Sequence, residues 1–547
     1  MEFPRTKFLI SLVFANLSVL GFSSSPTNTN SFLGCLTDQF GRSNSPTDVI
    51  ITPTNASSYA FLLESQNLRP ESTSPLKPLL IVTPFHDSEI QASIYCSKKL
   101  GTEIRTRSGG HDYEGLSYTS QNPFIIVDMR NLRSITIDNG EKTAWVETGA
   151  TVGQLYYTLA KNSKTLTFPA GVCPTVGIGG HLSGGGYGML SRKHGLASDH
   201  IIDAKLIDAD GNILDRGSMG EDLFWALRGG GSASFGVILA FKVSLIVVPE
   251  TLTGFVVTRT LEQNATQLVY RWQHVADKVD ESLSLRVSLN SVGSPPTSGN
   301  RTIVATFNAL YLGRVNDLLP LMEREFPELG LVENDCTEMS WIESVLFFAS
   351  LRNRSLDVLV SRIPQKPFTP SFYKGKSDFV ITQIPINGLV GIWRFLHDEE
   401  AEHRGALEFS PFGGQLSNFS ESESPFPHRA GNIFMIRYGV VWNKEGNEEL
   451  QRHLDWIRRL YSYMTRYVAK APRTAYFNYK DLDLGIDLDI GVNNNEGKTS
   501  YAQASVWGTK YFKNNFDRLV RVKTTVDPED FFRNEQSIPS LHSEKED

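Results

Sequence analysis

Residues 177–188, Gly-Ile-Gly-Gly-His-Leu-Ser-Gly-Gly-Gly-Tyr-Gly, constrain this chain more than any other stretch. Seven of these twelve residues are glycine, against 44 in the whole chain of 547. Glycine reaches backbone angles that a Cβ forbids, and it lets backbone approach a ligand closely. A flexible linker uses the same residue, but linkers seldom set a cysteine, a histidine and a tyrosine (Cys173, His181, Tyr187) between apolar segments. The loop 171–188 is therefore expected to wrap a large anionic cofactor, with Cys173 touching it.

The rest of the chain limits where such a loop operates. Its length suggests two to four compact units, and 40% hydrophobic residues allow a sizeable core. A net charge of −7 offers no general attraction to nucleic acid or anionic membrane. Arg5 and Lys7 precede an apolar run from Phe8 to Phe22, too short and too interrupted (Asn16) for a membrane anchor. Residues 1–27 read as an export signal, cleaved near 22–28. Secretion to the apoplast or cell wall, or delivery to the vacuole, fits the N-x-Ser/Thr sequons at Asn55, Asn264, Asn300, Asn353 and Asn418. Cys35, Cys96, Cys173 and Cys336 allow three disulfide pairings, which spacing alone does not resolve.

Taken in order, the chain reads as α+β. Leu79–Val82 is a short buried strand, and Asp87 or Ser88 caps a helix that carries Ile90 and Ile94 and stops at Gly101. Strands follow at Glu103–Thr106 and Phe124–Met129. A hairpin (Ser134–Asp138, Thr143–Glu147) is predicted to turn on Asn139-Gly140 in a type I′ geometry. A second hairpin turns on Asp210-Gly211, and Phe235–Val248 is a long β run. From 251 to 470 glycine thins out, and stretches such as Leu283–Leu289 and Ile303–Leu310 predict an antiparallel sheet. Leu450, Leu454, Ile457, Leu460 and Met464 mark the buried face of a helix.

Chemistry concentrates in two places. Arg107-Ser108-Gly109-Gly110-His111 follows a strand directly, and backbone N–H groups in such a turn cradle a diphosphate. The cysteine-bearing glycine loop follows some sixty residues later. Neither is a Rossmann fingerprint or a P-loop. Zinc sites show clustered ligands that this chain lacks, so no metal is expected. The residues around Cys173 do not resemble a papain-like nucleophile either.

Arg107-Ser-Gly-Gly-His111-Asp-Tyr-Glu-Gly, the run from Cys173 to Gly188, Pro472-Arg-Thr-Ala-Tyr-Phe-Asn-Tyr-Lys-Asp-Leu-Asp and the tail from Asp527 to Pro539 together resemble the plant berberine bridge enzyme-like family. The likeness runs from about Phe32 to Pro539. It implies the vanillyl-alcohol-oxidase fold, with a PCMH-type FAD domain built from residues 28–250 and 471–547 around a substrate domain at 251–470. It further implies FAD bonded twice, at His111 through the 8α-methyl and at Cys173 through C6. Arg107, Ser108, Gly109, Gly110, Val176, Gly177, Gly179, Gly180, His181, Gly184, Gly185, Gly186, Tyr187, Asn478 and Tyr479 are then expected to line the cofactor site. Cys35 and Cys96 match the family's disulfide, leaving Cys336 over.

The same resemblance implies the reaction. Val176 matches the residue that gates O2, and valine there resembles the oxidases, which yield hydrogen peroxide. Tyr118, Tyr187 and Tyr479 match active-site tyrosines, with Tyr479 as general base if a cation lowers its pKa from near 10. The family pattern breaks at Phe434–Tyr438, where alternation puts Met435 and Arg437 on one face in place of the usual polar pair or glutamate. Arg437 activates Tyr479, binds an anionic or phenolate substrate, or pairs with an acid.

The implied protein is a monomeric, glycosylated FAD oxidase of a small molecule with O2 as acceptor. A specialised phenolic or prenylated phenolic is favoured, with a monolignol or oligosaccharide as alternatives. Two further readings stand beside it. One is a redox-neutral Diels–Alderase in which Arg437 and Arg286 polarise an enone. The other is an inactive, partner-recognised glycoprotein, which the intact His111, Cys173 and Tyr479 oppose.

Overall fold

The computed structural model describes residues 26–40, 46–63, 67–68, 76–293, 301–363, 371–397, 405–487 and 500–541. The export signal, all but its last two residues, and the sequon at Asn300 lie outside the described residues. The other four sequon asparagines are solvent-exposed.

Short apolar runs separated by helices build a four-stranded sheet in the spatial order Ile50–Ile51, Ile81–Val82, Phe124–Asp128, Glu103–Arg107. The last three strands pair parallel, which matches the continuous apolar run of Phe124–Asp128, buried on both faces. The helices Pro26–Phe40 and Asp87–Leu100 pack together and are joined by the Cys35–Cys96 disulfide. Glu89, and not Asp87 or Ser88, closes the start of the second helix. Its carboxylate accepts from the N–H groups of Phe85 and His86 at 2.7 and 3.0 Å. Gly101 ends the helix at φ +62°.

A five-stranded antiparallel sheet follows, in the order Ile213–Leu214, Ile201–Ile207, Val237–Ser244, Thr143–Glu147, Ile135–Asp138. Both expected hairpins form, but the first does not turn on two residues. Asp138 pairs with Thr143, so the loop has four residues, and Lys142 rather than Gly140 takes positive φ. Asp138 supplies the reason, because its carboxylate accepts the N–H of Glu141 at 3.0 Å and holds the wider turn.

The eight-stranded sheet runs Cys336–Met339, Leu252–Thr260, Arg301–Tyr311, Leu283–Gly293, Gly405–Pro411, Phe434–Trp442, Ser371–Val380, Asn67–Leu68. Its pairs are antiparallel except the last, where Asn67–Leu68 adds to the edge in parallel. Alternation divides its faces. Leu285, Val287, Leu407, Phe409, Ile436, Tyr438 and Val440 meet the helices Ala265–Val275, Ile386–His397 and Asn447–Met464 in one core. Leu450, Ile457, Leu460 and Met464 of the last helix are buried there as its spacing predicts, and Leu454 is half-buried. The opposite face carries Arg286, Glu408, Met435 and Arg437 toward the glycine-rich half of the molecule.

Candidate active site

The strand Glu103–Arg107 delivers the glycine turn. At its end Arg107 borders the cavity, with its side chain anchored on neighbouring protein groups. Its guanidinium donates to Asp128 (2.8 Å) and to the carbonyl of Leu62, and the residue is 3% exposed. Register explains this, since Arg107 lies opposite Asp128 on the neighbouring parallel strand. The turn then presses on the second loop. A Cβ on Gly109 would sit 2.2 Å from the backbone nitrogen of Gly177, so only glycine allows that approach. Ser108 donates to the carbonyl of Thr148, and Arg362 clamps the turn by donating to the carbonyls of Ser108 and Gly149.

The turn and the loop enclose a cavity of about 780 Å³. His111 and Cys173 both border it, and both reach one hydroxyl: Thr175 Oγ1 lies 2.9 Å from His111 Nε2 and 3.7 Å from Cys173 Sγ. Burial pushes the His111 imidazole down to about 4, so the ring is neutral and nucleophilic at physiological pH. Cys173 is outside any disulfide. Gly177, Gly179 and Gly180 border the same space, and a Cβ on Gly180 would meet nothing within 4 Å. Bare backbone along one wall, with a neutral imidazole and a thiol close together, fits a large flat cofactor held at both residues. Val176 borders the cavity beside them, half-buried.

His181 borders the cavity and also holds the loop, since its Nε2 accepts the N–H of Gly171 at 3.0 Å. Gly184, Gly185 and Gly186, expected on the cofactor, are not part of the cavity wall. They make room for other parts of the protein: Gly184 for Asn478, Gly185 for Phe426, and Gly186 for Ala197 and the His181 ring. A Cβ on Gly184 would lie 2.2 Å from the Asn478 side-chain oxygen, and Gly186 donates its N–H to the Tyr476 hydroxyl at 2.8 Å. Asn478 borders the cavity and donates to the His181 carbonyl at 2.9 Å.

Beyond this wall stands a cluster of phenols. The Tyr187 and Tyr479 hydroxyls are hydrogen-bonded to each other. Tyr113, which the sequence reading passed over, stacks on Tyr479 with ring centroids 5.0 Å apart and planes 5° apart, and meets Tyr373 edge-on at 4.6 Å. Tyr118, expected here, is elsewhere: it packs with Tyr59, Phe124 and Ile126, and its ring covers Gly115. Gly115 at φ +72° turns the chain after Tyr113, so only the earlier tyrosine faces the cavity. Tyr113 belongs to the motif around His111, whereas Tyr118 follows that motif by three residues.

Arg437 stands beside an acid. It lies opposite Glu408 across the strand pair and approaches that carboxylate and the Tyr373 hydroxyl, each at 3.4 Å. Arg286 bonds the same carboxylate, so it is not free to polarise a carbonyl. Burial raises Glu408, but the two guanidiniums outweigh it and bring the carboxyl down to about 2. Arg437 also favours ionised Tyr479, yet burial first, with the neighbouring Tyr187 and Tyr113, drives that phenol well above its ordinary value. Tyr479 is therefore protonated at rest, against the expectation of a ready base.

Behind the phenols runs a buried ionic network. Lys374 bonds Glu114 and Asp481 (2.8 Å), and Lys376 bonds Asp481 (2.8 Å) and Asp483 (2.7 Å). Each of Glu114, Lys374 and Asp481 is one or two residues past a cavity tyrosine: Tyr113, Tyr373 and Tyr479. No cluster of three or more metal-ligating side chains occurs among the described residues, and none of their helices is long and apolar enough to cross a membrane.

A family model described as an FAD binding domain matches residues 78–217, and another, described as berberine and berberine like, matches residues 475–539. The chain is 51% identical over 518 residues to Berberine bridge enzyme-like 18 of Arabidopsis thaliana, covering 94% of this chain and 93% of that one. Tetrahydroberberine oxidase of Berberis wilsoniae is 48% identical over 546 residues, covering 98% and 99%. The solved structure of BBE-like number 28 from Arabidopsis thaliana matches with a TM-score of 0.84 at 47% identity, covering 94% of this chain and 100% of that one.

Proposed function

The chain belongs to the plant berberine bridge enzyme-like family of FAD-linked oxidoreductases, of vanillyl-alcohol-oxidase fold, and from that premise we propose that it is a secreted oxidase of aromatic substrates, with FAD bonded at both His111 and Cys173. The observation that carries this reading is the meeting of His111 Nε2 and Cys173 Sγ at the Thr175 hydroxyl, on a glycine wall facing Tyr113, Tyr187, Tyr373 and Tyr479. His111 and Cys173 would hold FAD, and the chemistry it would supply is acceptance of a hydride from the substrate carbon, with O2 and a proton restoring the oxidised flavin and leaving hydrogen peroxide.

The chain's own residues then bind, orient and handle the proton. Tyr113, stacked on Tyr479, presents an aromatic wall to the substrate. Tyr479 and Tyr187, joined through their hydroxyls, hold a substrate hydroxyl in a short line of exchangeable protons. Proton removal by Tyr479 Oη requires prior loss of its own proton, which Arg437 favours and burial opposes. Val176, close to Cys173, leaves O2 more room than a leucine would.

The test begins with the purified, denatured protein. The yellow colour is expected to stay with the polypeptide, also in His111→Ala and Cys173→Ala, and to be lost in the double variant. Phenolic substrates added without oxygen are expected to bleach the flavin, and readmitted O2 to yield hydrogen peroxide. Colour lost on denaturation of the wild type refutes the double linkage. Product from a prenylated phenol and a chalcone without bleaching refutes the oxidase in favour of a cyclase.

A further inference from the structure

The substrate side of the cavity carries an uneven charge. Arg286 and Arg437 both border it, whereas Glu408, the carboxylate they share, does not. Two guanidiniums against one carboxylate leave one positive charge. The phenols add nothing negative, because burial pushes Tyr113, Tyr187 and Tyr479 up and keeps them neutral.

The other cations on the cavity wall are already engaged. Arg105 bonds Glu103 and Glu535 at 3.1 and 3.3 Å, Arg107 bonds Asp128, and Arg533 bonds Glu103 at 3.3 Å. Lys480 donates to the Gln536 carbonyl at 3.1 Å, and burial brings its ammonium down to about 8 although the Asp112 carboxylate favours the charge. Arg286 holds Glu408 closely, so its charge is matched. Arg437 holds the same carboxylate only at 3.4 Å, and 29% of its side chain is exposed, into the cavity.

We infer that the substrate is a monoanionic aryl carboxylate, seated with its carboxylate on Arg437 and its ring against Tyr113 and Tyr373. This rests on the oxidase reading above and names its substrate class. The fork of a guanidinium fits the two oxygens of a carboxylate, whereas a phenolate offers one. A single excess charge selects a monoanion: a phosphate monoester, with nearly two charges at neutral pH, would leave the pocket net negative. On the cavity side the Tyr373 hydroxyl lies 3.4 Å from Arg437, with the Tyr113 ring edge-on to Tyr373, and these aromatic faces favour a flat ring over a sugar.

The test is binding, read by calorimetry on the flavin-loaded protein at neutral pH, with trans-cinnamate, methyl cinnamate and cinnamyl alcohol as probes. The acid is expected to bind at least tenfold more tightly than its ester or alcohol. Arg437→Gln is expected to erase that preference and Arg437→Lys to restore part of it, because lysine returns the charge without the fork. Equal affinity for acid and ester overturns the inference, as does no binding of the acid or an unchanged preference in Arg437→Gln. The wild-type comparison stands even if a variant fails to fold. Anaerobic bleaching with 4-(hydroxymethyl)cinnamate, which keeps the carboxylate and adds a carbinol able to give up a hydride, separates the two readings: an acid of that kind that binds selectively without bleaching upholds the charge assignment and counts against the oxidase.

Discussion

Replacing Lys374 with methionine tests whether the ionic network behind the tyrosines holds the site together. Lys374 is 6% exposed in its side chain, and it faces Glu114 (12%) and Asp481 (2%). Removing one partner of a buried ion pair costs about 3–5 kcal/mol, because the remaining charge is stranded. Here part of the loss is contained. Asp481 keeps Lys376 at 2.8 Å, and Glu114 keeps the N–H of Leu482 at 3.1 Å. The expected loss is therefore at the lower end, about 3 kcal/mol. Burial and Asp481 already push the Glu114 carboxyl up against the pull of Lys374, so without that lysine it is the group that takes a proton. A carboxyl raised in the folded state destabilises while it is ionised, and relief comes as pH falls below its folded pKa. The deficit of Lys374→Met should thus be largest above neutral pH and narrow on acidification. Equilibrium urea unfolding across pH measures it, and adding Glu114→Gln should recover about 1–3 kcal/mol as coupling. A loss below about 1 kcal/mol, the value of an exposed pair, or a deficit indifferent to pH, refutes the argument.

Three further outcomes are expected. Tyr479→Phe should slow anaerobic flavin reduction by about a hundredfold or more and Tyr113→Phe by less, while Tyr118→Phe should leave it unchanged in stopped-flow absorbance. Val176→Leu should slow reoxidation of the reduced flavin by O2 without altering its reduction. Burial holds the His181 imidazole down at about 4 and that of His428 well below the ordinary 6.5, so the unfolded chain protonates first as pH falls. Their contribution is complete above pH 6.5 and is lost as pH falls below it, toward about 4 for His181, with a slope of up to about 1.4 kcal/mol per pH unit for each. His181→Gln should flatten acid unfolding by one proton, and an unchanged slope would show that this ring is protonated in the fold.

What the sequence made legible was local or carried by unusual spacing. Glycine density marked the cavity wall at Gly177, Gly179 and Gly180, and the histidine and cysteine motifs placed His111 and Cys173 on one cavity before any coordinates. Alternation put Met435 and Arg437 on the right face. Gly184, Gly185 and Gly186 misled because glycine answers two demands alike: room for a ligand and room for another segment. Only the packing of Asn478 and Tyr476 against them tells which. Arg107 borders the cavity, but its ion-pair partner Asp128 was not legible, since it sits on a strand adjacent in space but not in sequence.

Glu408 was beyond sequence reasoning for a deeper reason. Its strand shows nothing unusual, and its meaning comes from register, which sets it opposite Arg437 and diagonal to Arg286. Strand alternation also places one of the cavity tyrosines. In Ser371–Val380 successive side chains point to opposite faces, so Tyr373 enters the cavity while Lys374 enters the ionic network behind it. Tyr113–Glu114 and Tyr479–Asp481 repeat that division from the two ends of the chain. A shift of any one segment would pull a phenol from the cavity and a charge from the network together. The stability of the ion pairs and the geometry of the phenols should therefore fail as one. Lys374→Met is expected to broaden the substrate-binding response as well as to lower stability, although Lys374 Nζ bonds none of the four phenols.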